Sequence, residues 1–237
     1  MSKSFSKFIC QECGAISSKW LGQCDICKAW NSIIEEVNFE EVSKKNILMP
    51  KDFFVGVTQG FKEVQNRRMT YLNELNRVLG GGLVDGSVIL LGGPPGIGKS
   101  TLLLQILSKI SDNSIKDFVY ISAEESINQV LLRADRLSAS NPELKIASSY
   151  SIHQIISSLS SLRSNGIVVI DSIQTISSDL VQSPPGSISQ VRFCTQELVN
   201  FAKKKDITII IVGHITKDGT IAGPKTLEHM VDCVLYF

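Results

Sequence analysis

The sequence lacks any apolar run near the roughly 20 residues that a helix needs to cross a bilayer. Residues 1–9 also lack the apolar stretch of a secretory signal. Neither sign of charge is in excess, because 24 lysines and arginines oppose 23 acidic residues, so any nucleic-acid surface must be local. We therefore expect a cytoplasmic protein with no membrane partner. With 43% hydrophobic residues, the 237-residue chain can form one full-sized core and a small second domain.

The six cysteines do not follow the spacing of a disulfide framework, because four of them lie close together near the N-terminus. These four form two C-x-x-C knuckles separated by ten residues: Cys10, Cys13, Cys24 and Cys27. Paired knuckles offer four thiolates to one tetrahedral Zn²⁺. Since so short a module buries little apolar surface, the metal would supply most of its folding energy. We interpret residues 1–34 as a structural zinc module; redox pairing of the knuckles is the competing interpretation.

The module also contains both tryptophans of the chain, Trp20 and Trp30. We expect them to cover the metal site, although each indole could also stack on a nucleic-acid base. The two remaining cysteines, Cys194 and Cys233, lie far apart in apolar surroundings. We expect both to be small buried hydrophobic residues.

The rest of the chain divides into a linker and an α/β domain. Residues 35–68 mix acidic and basic side chains with little periodicity, which is typical of a linker. From residue 69 to residue 237, apolar runs of strand length alternate with segments of helical period, a pattern that predicts a mainly parallel sheet with flanking helices. The predicted strands cover residues 87–91, 118–122, 167–170, 208–212 and 233–237. The predicted helices cover residues 100–110 and 127–137, and apolar faces of helical spacing run through residues 152–162 and 191–201.

A glycine-rich segment, which we call the P-loop, joins the first of these strands to the first of these helices. It matches the pattern G-x-x-x-x-G-K-[ST] and consists of Gly93, Pro94, Pro95, Gly96, Ile97, Gly98, Lys99, Ser100 and Thr101. Glycines there let backbone N–H groups converge on phosphate oxygens, and the helix points its positive end at them. We expect Lys99 to reach the terminal phosphates of ATP, Ser100 to hold Mg²⁺ and Thr101 to add a further contact. The alternative is an ordinary glycine-rich turn that leads into a helix. The residue types, their spacing and the position between a strand and a helix disfavour it.

Carboxylates follow two of the other predicted strands. Asp171 ends an apolar strand at the edge where open α/β sheets bind ligands, and we expect it to hold Mg²⁺ through water. In a chain without a P-loop, an aspartate in the position of Asp171 would be interpreted as a turn residue or a helix cap. Glu124 is our candidate for the group that orients or deprotonates an attacking water. Alternatively, Glu124 and Glu125 cap the helix that begins near Ser126, a role that fits Glu125 better.

His214 follows a further predicted strand and should lie at the same edge, where it could hydrogen-bond the γ-phosphate of ATP. A histidine there could also be an ordinary satisfied polar group. The segment after it, residues 215–227, contains Lys217, Lys225, glycines and a proline. Such a segment could contact a nucleic-acid backbone, but its composition alone favours a solvated loop.

With these residues identified, the chain resembles the RadA (Sms) family of bacterial DNA repair proteins, which is related to RecA. The resemblance covers nearly the whole chain. Besides the zinc module and the P-loop, the segments that carry it are residues 19–24, 79–83, 171–175, 185–191, 213–224 and 227–230.

The resemblance implies a RecA-like ATPase that assembles as a ring, as a hexamer, with ATP at the subunit interfaces. It also implies ATP-driven translocation on single-stranded DNA and branch migration of recombination intermediates, alongside a partner recombinase. By the same resemblance Glu124 is the catalytic glutamate and His214 the nucleotide sensor. The segments 174–190 and 215–227 correspond to the family's DNA-facing loops.

The family continues beyond the strand at residue 237 into a Lys-Asn-Arg-Phe-Gly motif and a Lon-protease-like domain. We therefore expect the ATPase core of this chain to be C-terminally incomplete, either as a fragment or as a shortened relative that hydrolyses ATP poorly. The leading hypothesis is a DNA-dependent ATPase of recombinational repair. The alternative hypothesis is a RecA-like ATP-binding switch or scaffold that regulates protein partners without moving on DNA.

Overall fold

The structure is a computed structural model and describes residues 7–10, 16–30, 33–36, 67–110, 117–139, 141–214 and 227–237. The chain divides into two compact units, residues 1–62 and 63–237. The predicted domain boundaries at residues 34 and 68 remain predictions. Within the described residues, no helix is long and apolar enough to cross a membrane.

The N-terminal unit contains a small antiparallel sheet. Its central strand β1 (Lys7–Cys10) pairs on one side with β2 (Ile16–Ser17) and on the other with β3 (Ile33–Glu36). Among the described residues, Cys24 and Ile33 are the buried centre of this unit, with Phe8 and Leu21 packed against them.

The second unit is built on a six-stranded sheet in which every described pairing is parallel. Its strands are β4 (Val88–Gly93), β5 (Phe118–Ser122), β6 (Leu144–Ser148), β7 (Ile167–Asp171), β8 (Thr208–His214) and β9 (Cys233–Tyr236). They lie in the order β6-β5-β7-β8-β4-β9. The predicted parallel α/β sheet is confirmed. The sequence patterns had not indicated β6, which is an edge strand with half-buried or exposed side chains and so lacks the apolar run of the central strands.

Helices cover both faces of this sheet. They are α1 (Asn73–Val78), α2 (Lys99–Lys109), α3 (Ile127–Arg136), α4 (Ile152–Leu159) and α5 (Ile188–Lys205), with a short 3-10 helix at Ile173–Thr175. Alternate residues of each central strand point to opposite faces, so Val88 and Leu90 join the core beneath α4 and α5, whereas Ile89 and Leu91 join the core beneath α2. Burial on both faces explains why these strands read as continuous apolar runs.

The two isolated cysteines differ in burial. Cys194 lies in the core beneath α5, as expected, and this burial together with the charge of Glu197 raises the pKa of its thiol to about 12. Cys233 is only half-buried, contrary to expectation, because it lies on the edge strand β9.

Candidate functional site

Four neighbouring strands of the six-stranded sheet bring the predicted site residues to one edge, which we call the carboxyl edge. In the sheet order, β5 is followed two residues later by Glu124, β7 ends at Asp171, β8 ends at His214, and β4 ends at the first residue of the P-loop. The register aligns the ends of these strands, since Ser122 pairs with Asp171 and Gly93 pairs with His214. The shared edge follows from parallel pairing, because all strands of such a sheet end on the same side.

The P-loop has the backbone conformation that its glycines permit. Gly96 and Gly98 have φ angles of 77° and 109°, values that side chains disfavour. Gly93 ends β4, and a Cβ there would lie 3.0 Å from the carbonyl oxygen of Phe237 and 3.3 Å from Cδ of Lys99. The conformation and close packing both fit a cradle for phosphate at the start of α2.

Lys99 is the buried cation of this loop, with 4% of its surface exposed. Its Nζ donates hydrogen bonds to the carbonyl oxygens of Gly93 at 2.7 Å and Pro94 at 2.8 Å. Burial lowers the pKa of Lys99, and the negative charges of Asp171 and Glu124 oppose that shift only in part. The ammonium group is therefore held within the P-loop, facing the carboxylates of the adjacent strands.

Asp171 is buried at the end of β7 and accepts a hydrogen bond on Oδ2 from the hydroxyl of Tyr120. The Ser100 side chain acts on the same phenol and opposes in part the rise in its pKa. Burial, followed by the charge of Asp171, raises the pKa of Tyr120 well above its ordinary value, so this phenol remains a donor. Sequence reasoning missed Tyr120; its only signal was a polar aromatic residue within the apolar strand β5.

Glu124 lies beside Asp171 and His214. Its Oε1 accepts hydrogen bonds from the Ser172 hydroxyl and, at 2.9 Å, from Nε2 of His214. Burial acts to raise the pKa of Glu124, but these two hydrogen bonds and the charges of His214 and Lys99 outweigh it, so the pKa is lowered. Glu124 is thus an ionised, partly exposed carboxylate, the state that a general base requires. Ser172 was a second residue that sequence reasoning missed.

Glu125 has a different role from its neighbour. It precedes α3 and forms an ion pair with Arg133 of that helix. The N-terminus of α3 is capped by Ser126, which forms a reciprocal capping box with Gln129. The N-cap of this helix is therefore Ser126, and neither glutamate holds that position.

Comparison with protein families now identifies the chain. Residues 61–220, more than half of its length, match the family model described as "AAA domain". The chain belongs to the AAA domain family. Residues 8–35 match a second model, described as "Rubredoxin metal binding domain".

Curated relatives match over the whole chain. "DNA repair protein RadA" of Bacillus subtilis (strain 168) is 48% identical over 242 residues, covering 100% of this chain and 52% of the relative. "DNA repair protein RadA" of Rickettsia bellii (strain RML369-C) is 48% identical over 244 residues, with the same coverage. The resemblance to the RadA family is confirmed, and the chain spans about half the length of these relatives.

Solved structures share the fold of the second unit. "Crystal structure of the RadB recombinase" aligns with a TM-score of 0.53 at 23% identity, covering 71% of this chain and 82% of that one. "The Structure Of A DnaB-Like Replicative Helicase And Its Interactions With Primase" aligns with a TM-score of 0.59 at 15% identity, covering 72% and 52%. The predicted RecA-like α/β fold is confirmed.

The two predicted DNA-facing segments are described to different extents. Residues 215–226 lie outside the described residues. In the segment 174–190, the buried side chain of Gln190 donates to the carbonyl oxygens of Ser178, Val181 and Ser183 and accepts from the Ser178 amide. The start of α5 thereby fixes the path of this loop.

The predicted zinc ligands are also described in part. Cys13 lies outside the described residues, and of Cys10 only the backbone at the end of β1 is described. Cys24 is buried and Cys27 exposed at either side of a tight turn, in which the Lys28 amide donates to the Cys24 carbonyl oxygen at 2.9 Å. Lys28 follows with a φ of 62°. Two cysteines on one such turn fit one half of a four-thiolate zinc site.

The tryptophans of this unit face solvent. Trp20 is 59% and Trp30 72% exposed, and the expectation that they cover the metal site stays a prediction. The apolar residues packed around Cys24 are Ile33, Phe8 and Leu21.

Proposed function

We propose that this chain binds ATP with Mg²⁺ at the carboxyl edge and hydrolyses it as a DNA-dependent ATPase of recombinational DNA repair. The observation that carries the proposal is the convergence of Lys99, Glu124, Asp171 and His214 on one edge of the sheet, next to the P-loop. The matched AAA domain family supports nucleotide chemistry at this edge.

Each residue has a distinct role in this proposal. The P-loop amides and Lys99 bind the phosphates, and Lys99 leaves its carbonyl partners to do so. Ser100 and Asp171 hold Mg²⁺, which neutralises charge on the phosphates when bound. Glu124 orients the attacking water and accepts its proton, because its lowered pKa keeps it ionised. His214 holds Glu124 in place through Nε2 and senses the γ-phosphate.

The DNA-directed part of the proposal draws on the relatives. The curated relatives are named DNA repair proteins, and solved neighbours of the fold include a recombinase and a replicative helicase. We propose that ATP turnover drives translocation on single-stranded DNA and branch migration in the cytoplasm, by a hexameric ring that works with a recombinase. The segments 174–190 and 215–227 would contact the DNA.

The deciding experiment measures ATP turnover at low salt, with and without single-stranded DNA, for this chain extended through the C-terminal part of the family. We expect DNA to raise turnover in the wild type and to have no effect in Glu124→Gln. If ATP binds but turnover is indifferent to DNA, the motor function is wrong, and an ATP-binding switch or scaffold for protein partners replaces it.

We also propose that Cys10, Cys13, Cys24 and Cys27 bind one Zn²⁺, consistent with the rubredoxin-type match over residues 8–35. Elemental analysis should find about one zinc per chain, and Cys24→Ser should lose most of it because three thiolates bind more weakly than four. Cys233→Ser, outside the module, is the matched control and should keep the metal. DNA stimulation that is unchanged in Cys10→Ser and Cys24→Ser would show that the module does not take part in DNA-coupled turnover.

A further inference from the structure

The hydroxyl of Tyr120 binds Asp171, one of the two residues that we propose hold Mg²⁺. It donates to Oδ2 of Asp171, at the end of the neighbouring strand β7. Tyr120 is 1% exposed, and Asp171 is also buried. One phenol thus holds the carboxylate of Asp171 from inside the protein.

The ring and the hydroxyl of Tyr120 have separable functions. The ring packs in the core beneath α2, among residues such as Leu104, Val130 and Val169, where phenylalanine would pack equally well. The hydroxyl adds no apolar contact. Its contribution is to give a buried carboxylate the donor that such a group requires.

We propose that Tyr120 is a positioning residue for the metal ion of the nucleotide site. By occupying Oδ2 of Asp171, the hydroxyl fixes the rotation of the carboxylate and directs Oδ1 toward the metal and its water. This inference rests on the proposed function, because it assumes that Ser100 and Asp171 bind Mg²⁺.

The test compares Tyr120→Phe with wild type in binding a fluorescent ADP analogue, first in EDTA and then during a titration with Mg²⁺. We expect nucleotide affinity in EDTA to be unchanged and the affinity for Mg²⁺ to fall about tenfold, a typical cost of removing a residue that orients a metal ligand. Mn²⁺ measured by electron paramagnetic resonance should show the same loss. Tyr150→Phe, at an exposed tyrosine, is the matched control and should leave both affinities unchanged.

A double-mutant cycle separates positioning from a general structural effect. In an Asp171→Asn background, adding Tyr120→Phe should weaken Mg²⁺ binding little further, because the group through which Tyr120 acts has already changed. Equal, additive losses in both backgrounds would overturn the proposal. So would an unchanged Mg²⁺ affinity in Tyr120→Phe.

A measurement on the unmodified protein covers the case in which Tyr120→Phe does not fold. The chain has four tyrosines, so labelling their ring Cζ atoms with carbon-13 gives four signals. The other three, Tyr71, Tyr150 and Tyr236, are exposed and can be assigned by substitution. Adding Mg²⁺ to the nucleotide-bound chain should shift the Tyr120 signal most, and an unmoved signal contradicts the proposal.

If wild type binds nucleotide with no dependence on Mg²⁺, the proposed metal site itself is wrong.

Discussion

The two ends of the six-stranded sheet use charged residues in different ways. At the amino-terminal end, which we call the amino edge, charges pair within the protein: Arg68 forms two hydrogen bonds to Asp85, at 2.6 and 2.7 Å. Asp117 accepts there from Lys145 at 2.7 Å, and Asp232 accepts from the Val88 amide. At the carboxyl edge, by contrast, the partners of Lys99 among the described residues are carbonyl oxygens, while the nearby carboxylates bind hydroxyls and a histidine.

This contrast shows that chemistry, rather than cavity size, marks the site. A cavity of about 490 Å³ lies at the amino edge, and its lining includes Arg67, Asp85, Ser87, Ile89, Asp232 and Cys233. Its acidic residues Asp85 and Asp232 already have partners in the fold. The buried cation and the carboxylates of the carboxyl edge are not paired with each other, so a phosphate and a metal ion could still bind between them.

The largest expected effect at the carboxyl edge is on turnover. Glu124→Gln should reduce ATP hydrolysis about 10²–10⁴-fold, because the amide cannot accept the proton of the attacking water. Nucleotide affinity should change little. Steady-state turnover and binding of a fluorescent ATP analogue measure the two effects separately.

The adjacent Glu125 provides a matched control. Glu125→Gln removes one charge from a structural pair with Arg133, and it should lower turnover much less than the change at Glu124. Equal losses in the two variants would remove Glu124 from the role of base.

The next effect is on nucleotide binding. Lys99→Ala removes the buried ammonium from the P-loop and should weaken ATP binding about 100-fold or more, as expected for loss of a preorganised charge beside phosphate. Lys109→Ala, at the opposite end of α2, is the control and should bind ATP like the wild type. Equilibrium titration with a fluorescent ATP analogue checks both, and unimpaired binding in Lys99→Ala would contradict the assignment of this edge.

The same contrast explains what the sequence could predict. Asp171 and His214 were predictable because parallel strands end on one side of a sheet, so residues after apolar runs must meet there. Tyr120 and Ser172 were not, because their hydrogen bonds to Asp171 and Glu124 depend on side-chain geometry between strands that are distant in the chain. The ion pair between Arg68 and Asp85 was not predictable for the same reason.

At the amino edge the expected effect is on stability. Asp85→Asn should lower the free energy of unfolding by about 1.5–3 kcal/mol, because it removes the charged acceptor of two hydrogen bonds from the buried Arg68 guanidinium. ATP affinity should not change. Urea denaturation measures the stability. Glu74→Gln is the control, because the ion pair between Glu74 and Arg77 is exposed and its loss should have no measurable effect on stability. A loss of ATP binding in folded Asp85→Asn would contradict the separation of the two edges.

The smallest expected effect is on the pH dependence of turnover. The hydrogen bond from His214 helps to keep the pKa of Glu124 below its ordinary value, so the carboxylate stays ionised at lower pH. Turnover needs that ionised form and is lost as the pH falls through the pKa.

His214→Ala removes the donor and raises the pKa of Glu124, so the acidic limb of the pH profile should move to higher pH. His214→Asn, which can still donate a hydrogen bond, should move it less. A limb that does not move in either variant would show that His214 does not control the ionisation of Glu124, and would leave it only the role of contacting phosphate.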